Sequence, residues 1–324
     1  MGANIAEKDG KSSVFVVGEP AWHKLGTVLD KPATAKEAIM CAGLDYKVQT
    51  QKVCLKSGKE IQNKIATVRE DTQDVFSVQS ESYKPIQNIE AFNFFDSIAG
   101  ENKAIYHSAG ALGKGERIWI MVKLPDDIII KNVDNIEKYL LLSNSHDGKS
   151  SLRMYFTPIR VVCQNTLNAS MNSASNEQVR LRHTGNIQNK IQQARKALGL
   201  ALSYYEEFSS VATKMAEASL NAGKANMYFD KVLGIDGKNP EAEISTRKQN
   251  IKGEIVSLFE GSGKGLDEKE IRRTAWTAYN SIVEYVDYHR VTTGGDNKRL
   301  NNIWFGGGAN IKKRAFSDAM ALVA

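Results

Sequence analysis

The chain has 324 residues, 42% of them hydrophobic, with a formal net charge of +6 and an isoelectric point near 9.0, so it can fill two ordinary cores and its charge favours a polyanionic partner. Its 3 cysteines, Cys41, Cys54 and Cys163, stand far apart with no Cys-x-x-Cys pair, which argues against a disulfide framework or a structural zinc. The first thirty residues lack a secretory pattern and no apolar run is long enough to span a bilayer, so a cytoplasmic protein without a membrane segment is expected.

Val14–Val17 predicts a short strand, and Glu19–Gly26, with Pro20 and Gly26, a loop that carries Trp22 and His23. Thr34 caps a helix through Ala35, Ala38, Ile39 and Ala42; Glu37 completes a capping box and Gly43 stops the helix. Alternating residues in Tyr46–Val53 and Ile61–Val68, then Val75–Val78, predict a meander with polar turns. Helical spacing returns over Asn88–Gly100 through Ile89, Phe92, Phe95 and Ile98. Strands at Ala104–Ala111 and Arg117–Leu124 flank a turn at Gly110, Gly113 and Gly115. An apolar run from Tyr139, the Asp147-Gly148 turn and a second run to Cys163 read as a β-hairpin, after which Asn165 or Thr166 can cap a helix.

From Asn168 the texture turns to Ser, Asn, Ala and Gln, which marks a linker or hinge. Ile187, Ile191, Ala194, Leu198, Ala201, Tyr205, Phe208, Ala212 and Met215 follow in steps of four and three, a long amphipathic helix. Ile271, Ala275, Ala278, Ile282, Tyr285 and His289 repeat those steps, and an intramolecular bundle is favoured over a zipper between copies. The expected class is α+β: an antiparallel meander with crossing helices over residues 1–170, a linker at 171–186 and a mostly helical region at 187–324.

Few constellations carry chemistry. His146, Cys163 and Asn165 lie within one hairpin unit, which allows a hydrolase or nuclease reading with Asn144 and Asp147 nearby. Against it, an Asp-Gly turn explains His146 and Asp147, and a cysteine ending an apolar strand is ordinarily an inert core thiol. Gly261-Ser-Gly263-Lys264-Gly265 lacks the Ser or Thr and the first glycine of a phosphate loop. No metal-ligand spacing occurs, so no catalytic residue, metal or cofactor is assigned. The basic residues are more telling: Arg180, Arg182, Lys190, Arg195 and Lys196 follow the hairpin, which itself carries Arg153 and Arg160. Together they predict a phosphate-gripping groove, with Tyr106, Trp119 and Tyr155 as candidate base-stacking residues. The tail from Lys298 to Arg314 interleaves basic and aromatic residues again, and its glycines at 306–308, ahead of a helical pattern, either present N–H groups to a phosphate or, the favoured reading, turn the chain.

Several motifs carry a resemblance. Pro20-Ala-Trp22-His23-Lys-Leu-Gly26, Ser82-Tyr83-Lys84-Pro85-Ile-Gln87-Asn88, Leu142-Ser-Asn144-Ser-His146-Asp147-Gly148 and Pro158-Ile-Arg160-Val-Val-Cys163-Gln-Asn165-Thr166 are four of them. Arg182-His183-Thr184-Gly185-Asn186, Ala275-Trp276-Thr-Ala-Tyr279-Asn280 and Glu284–Arg290 complete the set. In these the chain resembles a phage- and plasmid-borne family known as domain of unknown function 932, from about residue 14 to 322. The resemblance implies a mobile-element origin and transfers no catalytic residue. In topology alone, the order of helix, strands and helix from residue 34 to 100 is similar to single-strand annealing recombinases with the Rad52-like fold. The expected function is single-stranded DNA binding or annealing, by an oligomer, in recombination or replication. The alternatives are the hydrolase or nuclease above and an oligomeric regulatory protein that binds a host factor.

Overall fold

The structure is a computed structural model and describes residues 4–18, 25–99, 105–150, 152–160, 165–166, 178–180, 187–235, 245–291 and 299–323. In chain order the strands are β1 (Glu7–Lys8), β2 (Lys11–Ser12), β3 (Val14–Val17), β4 (Thr27–Leu29), β5 (Val48–Cys54), β6 (Glu60–Arg69), β7 (Val75–Ser80), β8 (Ile105–Leu112), β9 (Arg117–Lys123), β10 (Ile128–Ile130), β11 (Asp134–Ser145), β12 (Arg153–Arg160), β13 (Asn165–Thr166) and β14 (Gln178–Arg180). The helices are α1 (Ala35–Cys41), α2 (Asn88–Ala99), α3 (Ile187–Glu217), α4 (Ala222–Leu233), α5 (Thr246–Ser257), α6 (Ala275–Glu284), α7 (Arg299–Phe305) and α8 (Gly307–Met320). The class is α+β, with sheets in the first half and helices in the second. Among the described residues no helix is long and apolar enough to cross a membrane.

The chain forms two compact units that share its length in alternating segments. The first comprises residues 1–125, 139–156 and 178–201, the second residues 126–138, 157–177 and 202–324. The expected division at 171–186 therefore differs from the units, and its described part, Gln178–Arg180, is strand β14 and belongs to the first unit.

In the first unit the main sheet runs β14-β12-β11-β9-β8-β3-β4, with β4 parallel to β3. β9 reads Arg-Ile-Trp-Ile-Met-Val-Lys, and its five inner residues are buried without alternation, as a strand covered on both faces requires. Gly110 on β8 lies where a Cβ would come within 2.4 Å of the Trp119 ring, so only glycine lets the β9 indole lie flat there. Helix α1 carries the expected capping box, the Thr34 hydroxyl accepting from Glu37 N–H while the Glu37 carboxylate accepts from Thr34 N–H. α2 buries Ala91, Phe92 and Phe95, and the Tyr106 hydroxyl of β8 donates to the Phe92 carbonyl at 3.0 Å. A separate antiparallel meander, β5-β6-β7, is bracketed at its root by Gln87, which donates to Val48 O at 2.8 Å and accepts from Val48 N–H at 3.0 Å.

In the second unit β10 pairs with the start of β11, and β13 with the end of β12. Asn165 and Thr166 thus extend a sheet opposite Arg160 and Ile159 where a helix cap was expected; the backbone pairing takes precedence over the capping tendency of the side chains. The helices enclose an aromatic core: Phe208 of α3 lies edge-on to Trp276 of α6 at 6.1 Å and stacks on Phe316 of α8 at 5.8 Å. The α3 seam is buried at Ala201, Tyr205, Phe208, Ala212 and Met215, and the side chains of its first half lie outside the described residues. Every residue of α6 is buried, which makes it the central helix. Its polar residues bond to their own backbone one turn back: Asn280 donates to Trp276 O at 2.8 Å and Ser281 to Thr277 O at 2.8 Å. Ile271 falls before the helix, which starts after the Thr274 cap. α4, between an Asn221 cap and left-handed Gly234, had no counterpart in the sequence reading.

Candidate nucleic-acid interface

Alternation along β12 sets the geometry of the candidate surface. In the first unit Met154 and Phe156 are buried, whereas Arg153 and Tyr155 are half-buried and share the opposite face. β14 pairs with this segment so that Arg153 stands opposite Arg180, Met154 opposite Val179 and Tyr155 opposite Gln178. The ladder thus places two arginines at facing backbone positions, and the side chain of Arg180 lies outside the described residues. Lys196 on α3 is exposed. Lys190 and Arg195 belong to the same helix with side chains outside the described residues, and Arg182 lies outside them altogether.

Arg160 does not fit the groove assigned to it. Its side chain is 1% exposed, and its Nε donates to both carboxylate oxygens of Asp134, itself 1% exposed, at 2.8 and 2.6 Å. The two terminal nitrogens donate to the carbonyls of Lys264 and Gly265, each at 2.7 Å. Trp276 Nε1 donates to the same Asp134 carboxylate at 2.8 Å. A guanidinium so enclosed binds the protein's own backbone and cannot face a phosphate in solvent. The residues that decide this lie 26 positions upstream and over a hundred downstream, beyond local sequence reading. The loop at Lys264 is held from its other side as well, Lys264 N–H donating to the Glu284 carboxylate at 3.1 and 3.2 Å. The basic tail is similarly committed to the fold: Lys312 is fully buried and donates to Asp287 at 2.7 Å. Burial lowers the pKa of this ammonium, and Asp287 opposes that shift.

The polar cluster around His146 is equally enclosed, within the first unit. His146 is 0% exposed; its Nε2 pairs with Asn88 Oδ1 at 2.9 Å and its ring stacks on Phe76 at 5.9 Å. Asn88 in turn donates to Leu44 O at 3.0 Å. Tyr83 donates to Ser145 O at 3.3 Å and Asn144 to Ile86 O at 3.4 Å, so the motifs Ser82–Asn88 and Leu142–Gly148 dock on each other. Burial tends to raise the Asp147 pKa, but hydrogen bonds from Ser145 and Lys149 hold it below the usual carboxylate range. The Asp147 carbonyl accepts from Ser77 at 3.0 Å and Gln79 at 2.7 Å. Gly148 has φ +71°, and a Cβ there would meet the Gln79 amide at 2.3 Å, so the Asp-Gly turn serves both conformation and close approach. Of the residues in the hydrolase reading, Cys163 and the Asn165 side chain lie outside the described residues. His146 and Asp147 have the turn role that the Asp-Gly pattern suggested.

Trp22 and His23 also lie outside the described residues, while Tyr106 and Trp119, two of the three candidate stacking residues, are buried in the core at 3% and 2% exposure. Tyr155, the third, is half-buried on the same face of β12 as Arg153. Among the described residues no group of three or more His, Cys, Asp or Glu side chains is placed to hold a metal ion.

No curated protein and no solved structure matches the chain. A family model described as a domain of unknown function, DUF932, matches residues 75–304. That span includes the docked motifs around Asn88 and His146 and the Arg160, Asp134 and Trp276 cluster, and the chain belongs to this family.

Proposed function

We propose that this protein binds single-stranded nucleic acid, DNA in the first instance, through the face of β12 that carries Arg153 and Tyr155, in the part of the strand that pairs with β14. The observation that carries the reading is the register that sets Arg153 opposite Arg180 with Tyr155 on the same face of β12. Paired cations grip a phosphate, and a tyrosine two residues along the strand offers a ring on which an unpaired base stacks, worth roughly 1–3 kcal/mol per base. Lys196 adds an exposed cation within the same unit. The net charge of +6 draws a polyanion to the molecule as a whole. Within this reading the protein acts in the cytoplasm of a host cell, on strands exposed during replication or recombination of a phage or plasmid. Self-association belongs to the same proposal, because several copies along one strand bind it cooperatively.

The test is fluorescence anisotropy with a labelled single-stranded oligonucleotide between about 50 and about 200 mM salt. Affinity is expected to fall steeply with salt, and Arg153→Ala to make the log–log slope shallower by about 0.7, the contribution of one phosphate on a single strand. Binding insensitive to salt, or to Arg153→Ala and Tyr155→Ala together, would remove the proposal. Sedimentation velocity on the same mixtures tests the oligomer.

A further inference from the structure

The meander β5-β6-β7 contains a feature that the surface on β12 does not explain. Its root is firmly built: Val48 and Val68 are 3% and 2% exposed, and the buried Arg69 guanidinium lies 3.9 Å from the Tyr46 ring centroid. Beyond that root the character changes. From Thr50 to Lys64 no residue is buried, and all but the half-buried Val53 and Glu60 are exposed. β7 pairs with β6 only from Lys64 onward, so the stretch from Val53 to Gln62 is a two-stranded ribbon with both faces in solvent. Leu55 N–H donates to Lys59 O at 2.8 Å and closes the ribbon over a turn with Gly58 at φ +81°.

Such a ribbon buries no core, and an isolated two-stranded hairpin is marginally stable at best, so packing does not account for its residues. Its charge does distinguish it. Thr50–Lys64 carries Lys52, Lys56, Lys59 and Lys64 against the single acid Glu60, which pairs with Lys52 at 2.9 Å. Lys56, Lys59 and Lys64 form no ion pair among the described residues. Leu55, 53% exposed, stands at the apex between these lysines.

We infer that this ribbon is an arm that enters the groove of a nucleic-acid duplex. Two strands about 4.8 Å apart with their side chains form a rod that the major groove, about 12 Å wide, admits. Lysines at the turn and along both strands reach the phosphates that flank the groove, and an apolar apex suits contact with base edges or a base step. A lone projecting rod cannot enclose a single strand, so the shape selects the duplex. The arm extends the nucleic-acid reading to double-stranded substrate and stands on different strands from Arg153 and Arg180.

The experiment measures binding of the full chain to a labelled blunt duplex and, separately, to a single strand of equal length across the same salt range. Lys56→Ala with Lys59→Ala is expected to make the duplex slope shallower by about 1.8, two phosphate contacts, and to leave single-strand affinity within about two-fold. Lys56→Glu with Lys59→Glu should abolish duplex binding; both positions are exposed, and an unchanged thermal unfolding curve establishes that the fold is intact. Leu55→Ser should weaken duplex binding without altering its salt slope. No duplex binding by the unaltered protein, equal binding by the lysine variants, or preference for anionic phospholipid vesicles over duplex would each overturn the inference. Duplex binding without single-strand binding by the unaltered protein would count against the surface on β12 and leave the arm standing.

Discussion

Arg153 and Arg160 open and close the same eight-residue strand, yet one is half-buried and the other fully enclosed. Arg153 is half-buried, at the ladder position that faces Arg180, and it is the residue proposed above to meet a phosphate. Arg160 is sealed at 1% exposure against Asp134, two backbone carbonyls and the neighbourhood of Trp276, a placement that suits the fold. In sequence the two differ in nothing that marks one for solvent. The difference arises from partners supplied by distant segments, and it shows that a count of basic residues along a strand does not measure a binding surface. The stretch from Thr50 to Lys64 carries the same lesson in reverse, since nothing in the spacing of its lysines distinguishes them from those of an ordinary meander and only their exposure does.

The largest effect should come from Arg160→Ala. It leaves Asp134 charged and buried, and a loss of about 3–5 kcal/mol is expected in urea unfolding. Arg160→Met combined with Asp134→Leu should recover most of that loss; failure to recover would mean that the groups left unpaired, the carbonyls of Lys264 and Gly265 and the Trp276 indole N–H, matter more than the ion pair. Next in size is His146→Ala, expected to cost about 1–3 kcal/mol by orphaning the Asn88 amide. A double-mutant cycle with Asn88→Ala should give coupling of at least about 0.5 kcal/mol, and additive losses would dissolve the docked-motif interpretation. Arg153→Ala should change stability by no more than about 0.5 kcal/mol while weakening single-strand binding, which places it at the other end of the contrast. A large loss of stability there would make Arg153 a second Arg160.

The acids offer the finest test. Burial works to raise the Asp71 pKa, but hydrogen bonds from Arg69 and Lys8 outweigh it and hold the group at about 2. Because this lies below the unfolded value of about 3.9, the stabilisation is complete above that pH and is lost as pH falls toward 2. Asp147 is shifted in the same direction. Acid unfolding of Asp71→Asn should therefore show a shallower limb between about pH 4 and pH 2 than the unaltered protein, with the two curves parallel above about pH 5. Parallel curves throughout would show that Arg69 is held by Tyr46 and the Lys114 carbonyl alone.

Local chemistry made much of the fold legible. The capping box at Thr34, the α2 spacing, the β8–β9 pair and the Asp147-Gly148 turn all depend on residues within a few positions of one another. The α3 periodicity was equally plain because one helix face recurs every three or four residues. What sequence reading missed was decided at long range. Nothing near Arg160 announces Asp134, and nothing near His146 announces Asn88, which lies 58 residues away. The Arg153 and Arg180 pairing depends on a strand placed in a stretch whose composition reads as a linker. α4 escaped notice because its pattern, Ala-Gly-Lys-Ala-Asn-Met-Tyr-Phe, opens with small and polar residues and depends on the Asn221 cap and tertiary burial of Tyr228 and Phe229.

The alternation of segments between the two units bears on how the chain is made. Asp134 emerges from a ribosome 142 residues before Trp276, whose indole completes its hydrogen bonding. At about 5–20 residues per second, that interval is roughly 7–28 s. Throughout it, the Asp134 carboxylate lacks its indole partner even after Arg160 has been made, while the first unit already has all its segments once Ala201 has been synthesised. The sheet unit thus has its full set of segments before the helical unit does, and a slow translation pause or a chaperone acting after Ala201 would bear on the second unit more than on the first.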